Sequence, residues 1–127
     1  MRRAALILGV CALALTGCAP SPTVVDGDHR LIVATSRPGA MAGVGFGGVL
    51  GVDDAGCIVL GRDSVLLAPP GSTLKGNKLT LNYGAGQTTT LALGQSTDQL
   101  GGDEVGPGSQ YVPPGTKCSS TKFLLLG

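Results

Sequence analysis

What most constrains this chain is where its glycines fall. Of 22 glycines only Gly9 and Gly17 lie in the first seventeen residues; the rest punctuate the remaining 110 and cut them into short apolar runs. They follow no Gly-X-Y period, which excludes a collagen-like helix. No run is long enough, or periodic enough at 3.6 residues, for an amphipathic helix. Short apolar runs separated by Gly, Pro and Asp are instead the pattern of strands joined by turns.

The strands can be read in order. Arg30-Leu31-Ile32-Val33-Ala34-Thr35 is the first, stopped by Arg37-Pro38-Gly39. Val49–Val52 and Cys57–Leu60 form a hairpin about Asp53-Asp54-Ala55-Gly56. Ser64–Ala68 follows and ends at Pro69-Pro70-Gly71, since proline cannot donate to a ladder. Lys78–Tyr83 and Gln87–Leu93 make the clearest pair, with Leu79, Leu81 and Tyr83 alternating with polar residues. Residues 94 to 116 read as a long Gly/Pro/Ser-rich loop, and Thr121–Leu126 as the closing strand. The expected fold is all-β: one small barrel or sandwich of six to seven short strands. A last strand returning to the first would suit an OB-like or SH3-like closure.

The N-terminus obeys different rules. Arg2 and Arg3 precede an apolar stretch from Ala4 to Leu15, the layout of a secretory signal helix. The stretch is too short for a bilayer, which takes about 20 residues. Leu15-Thr16-Gly17-Cys18 then follows at once. This resembles the lipobox of bacterial lipoprotein precursors, an aliphatic and two small residues before an obligatory cysteine. The resemblance implies cleavage after Gly17 and a diacylglyceryl thioether on Cys18, joined by fatty acyl groups such as palmitate. Two chains suffice for stable anchoring. Residues 1–17 are then the signal peptide, 18–29 a lipidated tether rich in Pro and Ser, and 30–127 the β domain. The protein would sit on the extracytoplasmic face of the cell membrane. Ala19 replaces the aspartate that favours inner-membrane retention, so a Gram-negative host would send it to the outer membrane.

By that resemblance Cys11 leaves with the leader and Cys18 carries lipid, so Cys57 and Cys118 remain. An oxidising envelope and an even count imply one disulfide between them, contributing about 4 kcal/mol by loop entropy. A metal or redox pair would call for CxxC spacing or nearby histidines, and the sequence has neither. More loosely, the mature part is similar to small actinobacterial envelope lipoproteins of unassigned function. The shared features are Gly56-Cys57-Ile58-Val59-Leu60, Leu66-Leu67-Ala68-Pro69-Pro70-Gly71, and a late cysteine before an aliphatic C-terminal strand. Ala68 stands where that group often has an aromatic residue. The similarity implies no activity.

Charge narrows the functions further. Without Arg2 and Arg3 the chain keeps seven Lys/Arg against eight Asp/Glu. It has no basic footprint for nucleic acid and no polybasic patch for anionic membranes. Gly43-Val44-Gly45-Phe46-Gly47-Gly48 meets GxGxxG by count but runs into a strand, not the helix a dinucleotide needs. His29 is the only histidine, placed at the tether's end as a solvated residue, and no GxSxG elbow occurs. Asp53-Asp54 and Asp98, Asp103 and Glu104 could gather oxygens for Ca²⁺, yet aspartate suits turns for backbone reasons. Four scattered aromatics and no Trp give no stacking platform. The expectation is a non-enzyme without metal or cofactor: a membrane-anchored binding or structural module with an envelope protein or cell-wall partner. Its contact surface would be the 94–116 loop, with Leu100 and Tyr111 as anchors. The alternative is a carrier or chaperone for an apolar small molecule, although the chain is short for an eight-stranded lipid-binding barrel.

Overall fold

A computed structural model describes residues 23–39 and 44–127. The leader 1–17, the lipobox, Cys18 and the tether to residue 22 lie outside the described residues, as does Gly43 of the GxGxxG match.

The described residues hold ten strands and no helix. They are β1 (Thr23–Asp26), β2 (His29–Val33), β3 (Val44–Val52), β4 (Ile58–Leu60) and β5 (Ser64–Ala68), then β6 (Thr73–Lys75), β7 (Lys78–Gly84), β8 (Gln87–Ala92), β9 (Ser96–Val105) and β10 (Lys122–Leu126). The larger sheet runs β1-β2-β5-β10-β9-β3-β4, and a β4–β5 pairing closes its last five strands into a barrel. Closure removes the free edges an open sheet would expose. β6, β7 and β8 form a second, three-stranded sheet.

Both expected hairpins are present. Leu50 faces Leu60 and Val52 faces Ile58 in β3–β4, and Leu79 faces Leu91 in β7–β8. The closing strand returns elsewhere than expected. β10 lies between β5, to which it is parallel, and β9, to which it is antiparallel. β2 is parallel to β5 as well, pairing Ile32 with Leu67.

Burial on both sides of the sheet explains the unbroken apolar runs, because successive side chains point to opposite faces. One set fills the barrel: Leu31, Leu50, Leu66, Leu100, Leu124 and Leu126, capped by Leu74, Leu79, Leu81 and Leu91 of the small sheet. The alternate set, including Ile32, Cys57, Val59, Val65, Leu67, Phe123 and Leu125, forms a second core outside the wall. Val105, Tyr111, Val112 and Cys118 cover it.

Two further expectations need correction. Thr23–Asp26, assigned to the tether, is a strand paired with β2 from Thr23↔Ile32 to Asp26↔His29. The first part of the 94–116 loop is β9, held by β3 on one side and β10 on the other. Its Gly101-Gly102 pair has poor strand propensity, but at Gly102 glycine is required. A Cβ on Gly102 would lie 2.4 Å from the Leu125 carbonyl oxygen. The irregular segment is therefore 106–121.

Candidate functional site

Leu100 and Tyr111 do not form a common surface. Leu100 is 5% exposed and belongs to the barrel interior, so its assignment as a contact anchor is overturned by its place on β9. Tyr111 is half-buried in the cover of the outer core. Its carbonyl accepts the Thr35 amide at 3.1 Å, and the Thr35 hydroxyl donates to the Gln110 carbonyl at 2.8 Å. The segment 106–121 is thus fastened down over Ile32, Val65 and Phe123.

Cys57 and Cys118 are joined as a disulfide, with Cα atoms 5.8 Å apart. Cys57 precedes β4 and is fully buried. Asp53, in the β3–β4 turn, reinforces the link. Its Oδ1 accepts the amides of Ala55 and Cys57, and its Oδ2 accepts that of Ser119, all at 2.9 Å. Sequence alone shows Asp53 as a turn residue; its grip on Ser119, 66 positions away, has no local signal.

The donor atoms of Asp53, Cys57 and Cys118 cluster within 4.8 Å of one another. With the sulfurs bonded together and both carboxylate oxygens accepting amides, the cluster is a structural staple. Asp54 is exposed and adds no ligand to that group. Asp103 and Glu104 are adjacent on β9, so their side chains leave opposite faces of the strand. His29 is the first residue of β2, not part of a tether. It is half-buried and lines an open groove of about 640 Å³ with Val25, Asp28, Arg30 and Asp54.

A smaller cavity, about 400 Å³, lies beside the ends of β5 and β10. Its lining includes Arg37, Pro38, Pro69, Tyr83, Gln87 and Leu126. The Arg37 guanidinium rests over the Gly84 backbone. Nη1 donates to the Asn82 carbonyl and Nη2 to the Pro70 carbonyl, each at 2.9 Å. Tyr83 packs against the barrel interior, and burial pushes its phenol above the usual value of 10.0. Arg37 reads in the sequence only as the end of a strand, because its partners are 33 and 45 residues distant.

Comparison with family models, curated proteins and solved structures found no match.

Proposed function

We propose that this chain is a lipid-anchored lipoprotein of the bacterial cell envelope whose β domain is a non-catalytic binding or structural module. The observation that carries the reading is the division of labour among the four cysteines. Cys57 and Cys118 are bonded to each other, which suits an oxidising compartment. Cys11 lies within the apolar leader, and Cys18 ends a lipobox directly after it.

The domain supports surface contact better than internal transport. Its barrel is filled by leucine side chains that are fully buried, among them Leu31, Leu50, Leu66 and Leu124. A carrier of this size would need that interior space for its ligand. The partner class is an envelope protein or cell-wall polymer, met at the extracytoplasmic face of the membrane.

Labelling cells with an alkyne-tagged fatty acid tests the anchor. The wild-type protein should take up label and fractionate with membranes. Cys18→Ser should lose the label and accumulate as a precursor larger by seventeen residues. Equal labelling of both, or of neither, refutes the reading.

A further inference from the structure

The cavity beside Arg37 combines three chemical features. Two of the five guanidinium N–H donors are committed to carbonyls, which leaves three. Carbonyls hold the group without neutralising it, and no carboxylate pairs with it among the described residues. The Tyr83 hydroxyl makes no hydrogen bond with the described residues, and like any phenol it is a proton donor at neutral pH, its pKa raised by burial. Leu126 and Pro69 are fully buried behind these groups, giving the cavity apolar lining as well. A planar, uncompensated guanidinium suits a phosphate bidentately. Apolar lining next to it suits the carbon skeleton that a phosphodiester carries.

Strand direction gives this cavity a neighbour. β2, β5 and β10 are mutually parallel, and β1 is antiparallel to β2. Thr23 therefore begins β1 at the same edge of the sheet where β2, β5 and β10 end, in the row Thr23, Ile32, Leu67, Leu125. Three strand spacings of about 4.8 Å separate the ends of that row, or about 14 Å. Four residues separate Cys18 from Thr23, and the five Cα–Cα steps between them reach about 18 Å at full extension.

We propose that this cavity receives the phosphate headgroup of an anionic phospholipid in the membrane that holds the Cys18 lipid; the inference rests on the lipoprotein reading above. A single arginine suffices because the anchor keeps the cavity at millimolar effective concentration of headgroups. That accounts for a membrane-facing site in a chain with no polybasic patch. An occupied cavity fixes the barrel's orientation, with the β1–β2 turn at Gly27 and Asp28, and the groove beside it, directed away from the bilayer.

The test uses the protein as extracted from membranes in a neutral maltoside detergent, its acylation read by mass spectrometry on the same sample. Dihexanoyl phosphatidylglycerol, dihexanoyl phosphatidylcholine and inorganic phosphate are titrated while the amide resonances of Gly84, Gln87 and Gly127 are followed. Phosphatidylglycerol should give saturable shifts, with at least tenfold weaker binding by the other two. Arg37→Gln should weaken phosphatidylglycerol at least tenfold and Tyr83→Phe several-fold, while Arg37→Lys keeps part of the affinity. Absent shifts, or an unchanged affinity in Arg37→Gln, overturn the proposal. Inorganic phosphate binding as tightly as phosphatidylglycerol also overturns it, in favour of a free-phosphate site. Shifts as expected on a chain without acyl groups would support the cavity assignment and overturn the anchor.

Discussion

Asp53 holds more of this molecule together than any other charged side chain described. Three amides converge on its carboxylate, two from its own turn and one from 66 residues away. Hydrogen bonds to a charged acceptor are stronger than neutral ones, and a half-buried amide left without one is costly. Asp53→Ala should lower stability by about 2–3 kcal/mol in urea unfolding, whereas Asp54→Ala next to it should change it by under about 0.5 kcal/mol. The exposed Lys122–Asp63 pair, 3.5 Å apart, contributes little by comparison. Tyr83 adds a pH dependence. At neutral pH its phenol is protonated in both folded and unfolded chains, so it contributes no slope. Above the ordinary value of 10.0 the unfolded chain releases its proton while the folded one, with its raised pKa, retains it. The native state then binds more protons, and stability falls as pH rises. Urea midpoints at pH 8 and pH 11 should drop further for wild type than for Tyr83→Phe.

At the scale of elements, the segment 106–121 acts as a cover and not as a free loop. The disulfide closes a separation of 61 residues and ties this cover to the start of β4. Cys57→Ala with Cys118→Ala should cost about 4 kcal/mol. Hydrogen exchange should speed first in 106–121 and at the outer-core amides, while the interior strands keep their protection. Strands with β-branched or aliphatic runs, such as β5 and β10, are legible from composition, as is the β7–β8 hairpin from its alternation. β1, β6 and β9 are not: β1 and β6 are only four and three residues long and pair with the strand just after them, while β9 owes its strand character to β3 and β10. Ser96–Val105 carries two consecutive glycines, of which Gly102 is explained by the crowding against Leu125. The Cys57–Cys118 disulfide is what the lipobox resemblance implies for the two remaining cysteines, but the Arg37 cavity has no such signal. It is assembled from β2's exit, the Pro-Pro-Gly stop and the tip of the β7–β8 hairpin.

For the whole molecule, one wall separates two cores, and residues that look alike in sequence fall on different sides of it. Leu100→Ala should leave a cavity in the barrel and cost about 2–5 kcal/mol. Tyr111→Ala, which thins the half-buried cover, should cost less, and thermal unfolding of both variants checks the order. The parallel placement of β10 has a further consequence. It is inserted between β5 and β9, contributes to both cores, and is the last strand in order. Neither wall nor cover can be completed while those residues are still inside a ribosome. Such non-local pairing is slow to form, so an emerging chain keeps both cores open until β10 is delivered.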